Sequence, residues 1–123
     1  MFDDISFDII FSHSVFQYFP NLDYANTVIE RWCKNIKQGG MLVLLDLNDK
    51  NHEDNYHSER MLAYTSPDDY YDIYKGLEHL FFDKASLIIK LKACGMTSIE
   101  CFDHAVTDYG NAKFRFNISC IKA

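Results

Sequence analysis

Within the run Ser12-His13-Ser14-Val15-Phe16-Gln17-Tyr18-Phe19, His13 is the side chain best suited to move a proton. Imidazole titrates near neutral pH, so His13 could act as a general base towards an attacking hydroxyl or amine. It could equally do no more than hydrogen-bond a backbone group in its turn. The run follows the carboxyl end of an apolar segment, Phe7 to Ser12, and open α/β sheets bind their ligands just outside such strand ends. Asp46 and Asn48 close a second apolar segment and could line the same crevice, although Asp46 would suit a turn cap as well. A third group is polar and aromatic: His52, Tyr56, His57, Arg60, Tyr64, Tyr70, Tyr71 and Tyr74, with His79 beyond. The Arg60 guanidinium would suit a phosphate or carboxylate on a substrate; the plainer alternative is that these aromatics pack together and Arg60 pairs with an acid. His52, His57 and His79 lack a recognised ligand spacing, so no metal site is expected.

Composition narrows the classes of function. The chain has 123 residues, 48% of them hydrophobic, enough for one compact domain with its own core. Its net charge of -6 argues against nucleic-acid phosphates or an anionic membrane as partners and favours a small-molecule substrate. Cys33, Cys94, Cys101 and Cys120 form no C-x-x-C pair, which fits free thiols in a reducing compartment. Met41 to Leu45 is too short to span a bilayer and the amino terminus is acidic, so a cytoplasmic location is expected.

The elements that must position these residues follow from periodicity. Phe7 to Ser12 reads as a central parallel strand covered on both faces. Asn21 can cap a helix with Leu22, Ala25, Val28, Ile29, Trp32 and Ile36 on its apolar stripe, stopped by Gly39-Gly40. Met41 to Asp46 then forms a second strand, completing a right-handed βαβ unit. Residues 47–82 carry no strand, a length that suggests a substrate lid or small helical insertion. Within them Ser66-Pro67-Asp68-Asp69 starts a helix bearing Tyr70, Tyr71, Ile73, Tyr74 and Leu77. Asp83 caps another helix, with Leu87, Ile88, Leu91 and Cys94 buried and Gly95 as its stop. The end reads as a hairpin: Ile99 and Cys101 alternate with Ser98 and Glu100, and Phe114, Phe116, Ile118 and Cys120 with Arg115, Asn117 and Ser119. His104 to Asn111 connects the two strands. All four cysteines fall on buried faces or helix ends and are expected in the core.

Three phrases, in this order, resemble the second half of a class I S-adenosylmethionine-dependent methyltransferase. They are Phe2-Asp3-Asp4 with Ser6 to Ile10, then Lys37-Gln38-Gly39-Gly40 with Met41 to Leu44, and Phe82-Asp83-Lys84 through Leu87 to Gly95-Met96. The resemblance covers nearly the whole chain. It implies an α/β fold, half of a doubly wound Rossmann-like sheet, comprising strands four, five, six and seven of the order 3-2-1-4-5-7-6, with the last strand antiparallel. Residues 1–123 would then be one domain, the C-terminal part of a methyltransferase domain, with 47–82 as its lid.

The resemblance also implies roles. Ser12 and His13 would face the cofactor, with His13 as base, while Phe16, Gln17, Tyr18, Asp46, Arg60 and His79 would hold the substrate. The reaction implied is methyl transfer from S-adenosylmethionine to a small molecule, a hydroxyl in preference to an amine. The family's glycine-rich loop has no counterpart: the chain has five glycines and no G-x-G. Most of the cofactor site is therefore expected in a missing N-terminal half, and this chain alone should be inactive. The first strand would expose an edge on which the chain could pair with itself or with that half. From a different class, the alternative is a non-catalytic half-fold serving as an interaction or oligomerisation module.

Overall fold

A computed structural model of the chain describes residues 5–64, 66–75, 78–103 and 110–123. The Phe2-Asp3-Asp4 phrase, Leu77 and the His104 to Tyr109 part of the hairpin connection lie outside the described residues. Four strands, β1 (Phe7–His13), β2 (Ile36–Asn48), β3 (Met96–Phe102) and β4 (Arg115–Lys122), form one sheet in the order β1-β2-β4-β3. β1 and β2 are parallel, and β4 runs antiparallel to both of its neighbours. This is the expected order four, five, seven, six, with the last strand reversed. The connecting helices are α1 (Leu22–Asn35), α2 (Glu53–Met61), α3 (Pro67–Tyr74) and α4 (Lys84–Ala93).

Local chemistry sets the helix ends. Asn21 Oδ1 accepts from the Tyr24 backbone N–H at 2.8 Å, Ser66 Oγ from Asp69 N–H at 3.2 Å and Asp83 Oδ2 from Ser86 N–H at 3.0 Å, each satisfying a donor the helix leaves free. Gly95 follows α4 with φ +85°, as its stop requires. At α1 the structure corrects the sequence reading. The helix ends at Asn35, Ile36 is already extended (φ -92°, ψ 134°), and Gly39-Gly40 lie inside β2. Gly40 is needed there because the strands crowd: a Cβ on it would stand 2.7 Å from the Asp8 carbonyl oxygen. Gly39, at φ +80°, accommodates the irregularity between the Phe7–Ile36 and Ile9–Met41 pairs. Leu22, expected on the apolar stripe, is exposed.

The core lies on one face of the sheet. Leu42, Leu44, Ile118 and Cys120 pack there with Ile29 and Cys33 of α1 and Leu87 and Leu91 of α4. The other face of β1 carries Ile9 and Phe11, 58% and 69% exposed, so among the described residues the expected cover on both faces is present on only one. α1 and α4 both pack on the Leu42 side, which is why the continuous apolar pattern of β1 exceeds what this chain buries.

The hairpin also departs from simple alternation. Arg115 and Asn117 are buried along with Phe116 and Ile118, because the acid they bond lies inside the molecule. Cys33 and Cys120 are buried, whereas Cys94 is partly buried and Cys101 exposed; β3 is an edge strand with only Met96 fully buried. The 47–82 stretch leaves and returns at one place: Phe82 N–H donates to the Asn48 carbonyl and Lys50 N–H to the Phe82 carbonyl, at 2.8 and 2.9 Å. Its helix α2 rests, through Tyr56, on a second small cluster with Phe81 and Phe114. No helix among the described residues is long and apolar enough to cross a membrane.

Candidate functional site at the carboxyl ends of β1 and β2

Ser14, just past β1, and Asp46, near the end of β2, both adopt left-handed backbone, at φ 58° and 64°. Such conformations are unfavourable for non-glycine residues and persist where surrounding bonds enforce them. Those bonds are present. Ser14 N–H donates to the Leu45 carbonyl at 3.2 Å, and Ser14 Oγ donates to Asp46 Oδ2. Asp46 N–H donates to Asn117 Oδ1 at 2.8 Å, and Arg115 Nη1 donates to Asp46 Oδ2 at 2.8 Å. Asp46 is 1% exposed, so this is a buried ion pair rather than an open crevice acid or a turn cap. His13 is exposed beside it, with Nδ1 3.3 Å from Ser14 Oγ.

Reading from the sequence missed Ser14, Arg115 and Asn117 as members of this site. The available signal was an arginine and an asparagine two apart, set among Phe114, Phe116 and Ile118, which alternation assigned to solvent.

A second feature lies alongside. Ser12 Oγ, Gln17 Oε1, Asn48 Oδ1, Arg115 Nε and His79 Nδ1 are buried and have no hydrogen-bond partner among the described residues. Buried polar atoms are nearly always bonded, so these atoms are suited to receive a bound molecule. The Leu80 backbone ties two of these residues together: its N–H donates to the Gln17 carbonyl at 2.8 Å, and its carbonyl accepts from Asn48 Nδ2 at 3.1 Å.

The 47–82 stretch adds a cavity of about 410 Å3 walled by Tyr18, Arg60, Tyr64, Tyr70, Tyr74 and His79, with Ile73 and Glu78. The Tyr18 ring meets His79 edge-on with centroids 5.1 Å apart. Tyr70 Oη lies 2.7 Å from His57 Nδ1, and Tyr74 Oη accepts from His79 N–H at 3.0 Å. The Arg60 guanidinium sits over the Tyr56 ring at 5.1 Å, a cation–π contact. Burial pushes the Tyr70 and Tyr74 phenols up. Burial first, then the Arg115 and Arg60 charges, holds His79 below the ordinary histidine range, so its imidazole is neutral at neutral pH.

The structure thus gathers Ser12, His13 and Asp46 at the two strand ends and Tyr18, Arg60 and His79 around the tyrosine cavity. Gln17 is buried between them at 2% exposure, and Phe16, 1% exposed, packs against Phe19, Trp32 and Phe82. Among the described residues no cluster of three or more His, Cys, Asp or Glu is placed to hold a metal ion. Ser12 Oγ, at a parallel strand's carboxyl end, fits a polar part of a nucleoside cofactor; the glycine-rich part of such a cradle has no equivalent in these 123 residues.

No family model matches the chain. Solved structures do resemble it. A SAM-dependent methyltransferase from Methanosarcina mazei aligns at a TM-score of 0.61 and 21% identity, over 98% of this chain and 61% of that one. One from Thermotoga maritima gives 0.61 and 16%, over 98% and 58%. A candidate exported protein from Bordetella parapertussis gives 0.64 and 13%, over 95% and 39%. In sequence, chondramide synthase cmdD of Chondromyces crocatus is 42% identical over 60 residues, 49% of this chain and 2% of that protein. The chain therefore has the fold of SAM-dependent methyltransferases while spanning between 39% and 61% of these solved chains.

Proposed function

We propose that the chain forms the acceptor-side half of a SAM-dependent methyltransferase domain acting on a small molecule. The observation that supports this most is the juxtaposition of Ser12 Oγ, buried and without a hydrogen-bond partner among the described residues, with exposed His13 at the carboxyl end of β1, in a sheet of methyltransferase order. S-adenosylmethionine, when bound, would supply a methyl group on a sulfonium leaving group. Ser12 and His13 would hold its edge, and most of its cradle would come from a G-x-G half that these 123 residues do not contain.

This chain's own work is positioning and proton removal. His13 takes the proton of an attacking hydroxyl, favoured over an amine. Arg60 binds an anionic group of the substrate, while Tyr18 and His79 flank it in the tyrosine cavity. Gln17 and Asp46 order the inner wall, and Phe16 supports it. Residues 47–82 serve as the lid, rooted where Phe82 returns to Asn48. The buried free thiols Cys33 and Cys120 agree with work in the cytoplasm.

A second reading, a non-catalytic half-fold that docks to a partner, is favoured by the exposed Ile9 and Phe11. Radiolabel transfer from S-adenosylmethionine to phenolic and amine acceptors separates the two. The chain alone and the chain mixed with a polypeptide carrying the G-x-G half are compared. Transfer is expected only in the mixture, with the phenol ahead of the amine. Transfer by the chain alone would refute its dependence on the second half, and no transfer in either form would leave the docking module.

A further inference from the structure

We infer that Ser14, Asp46 and Arg115 form a positioning chain that holds His13 as its Nδ1–H tautomer, with Nε2 as the basic nitrogen. The catalytic meaning of this inference rests on the reading of His13 as the base; the tautomer itself does not. A serine hydroxyl carries one proton, and that of Ser14 is donated to Asp46 Oδ2. Asp46 Oδ2 also takes an N–H of the Arg115 guanidinium at 2.8 Å, which fixes this oxygen as an acceptor, so the proton between it and Ser14 belongs to the hydroxyl. Towards His13 Nδ1, 3.3 Å away, Ser14 Oγ can then present only a lone pair. A bare ring nitrogen there would set two lone pairs against each other, whereas a protonated Nδ1 completes the series Nδ1–H to Oγ–H to carboxylate.

The backbone supports this assignment. Two left-handed residues, one just past β1 and one in β2, bring the hydroxyl and the carboxylate together. Both are fixed from outside: Ser14 by the Leu45 carbonyl, Asp46 by Asn117 and Arg115 of β4. Imidazole in water prefers its Nε2–H form, so without this chain the lone pair would lie on the nitrogen turned towards Ser14. With the chain in place the lone pair lies on Nε2. As a substrate O–H bond breaks there and the Nε2–H bond forms, the imidazolium donates through both nitrogens, and Asp46 stabilises it through Ser14. The proton can then leave to solvent, to which His13 is exposed.

Long-range 1H–15N correlation spectra of the 15N-labelled chain, recorded at alkaline pH with neutral imidazoles, read the tautomer directly; His13→Ala assigns the signal. The wild type should show a protonated Nδ1, and Ser14→Gly should return His13 to the Nε2–H form. Glycine suits φ 58°, so this variant removes the hydroxyl without straining the turn. An Nε2–H His13 in the wild type, or an unchanged signal in Ser14→Gly, would overturn the inference. In the complete domain Ser14→Gly should lower kcat by about tenfold, a fraction of what a general base contributes, with KM little changed. If the wild type is Nδ1–H and His13→Ala transfers methyl groups normally, the tautomer assignment holds and the base reading fails.

Discussion

Asp46 is the residue on which the site turns. It accepts from Arg115 and Ser14, its backbone N–H is bonded by Asn117, and its left-handed φ exists because those partners hold it. Asp46→Ala would leave the Arg115 guanidinium buried without its counter-charge, a loss of about 3–5 kcal/mol for such pairs. Urea unfolding should show it as a large drop in midpoint; a change below about 1 kcal/mol, the scale of an exposed pair, would mean that the pair is solvated. The sequence made part of this legible. His13 and Ser12 stood out because they follow an apolar run, and Asp46 because it ends one. Arg115 did not, because a period-two pattern in an antiparallel strand assigns polar side chains to water. Only a long-range contact between β2 and β4, invisible in local spacing, reverses that assignment.

Elements were read most accurately where a side chain itself closes them and least accurately where tertiary crowding decides. Asn21, Ser66 and Asp83 cap their helices as their types and positions indicate. The Gly39-Gly40 pair looked like the stop of α1, yet it belongs to β2, where the Asp8 carbonyl passes too close for a side chain. A helix-stop glycine and a strand glycine under close approach have the same sequence appearance, and only the neighbour distinguishes them. The two glycines should therefore respond differently. Gly40→Ala forces a methyl group against the Asp8 and Lys37 carbonyl oxygens, at 2.7 and 2.9 Å, and should destabilise the chain by about 1–3 kcal/mol, as overpacking does. Gly39→Ala meets nothing within 4 Å and should lose about 1–2 kcal/mol, from its positive φ alone. Thermal unfolding of both variants ranks them, and equal losses would show that crowding at Gly40 is relieved by a strand shift.

At the scale of the whole molecule, the described residues cover one face of the sheet and leave the β1 end of the other open. Ile9 and Phe11 project from β1 away from the core, with Met41 of β2 beside Ile9, and Ile9 and Phe11 border a shallow cavity with Trp32 and Asn35. β1 is also an edge of the sheet, so apolar surface and unpaired backbone groups coincide there. The apolar composition of β1 is explained if a second layer, or a second copy, covers this face: a strand serving only as a solvated edge has no need of Ile9 and Phe11. The chain at high concentration should therefore self-associate in sedimentation velocity runs. Phe11→Asp should shift it towards the monomer with little change in unfolding midpoint, since Phe11 is 69% exposed and supports little of the core. If the variant unfolds instead, Phe11 belongs to this chain's own packing. If the wild type is already monomeric at every concentration, the apolar face has a different partner, and the G-x-G half is then the one to add to the cell.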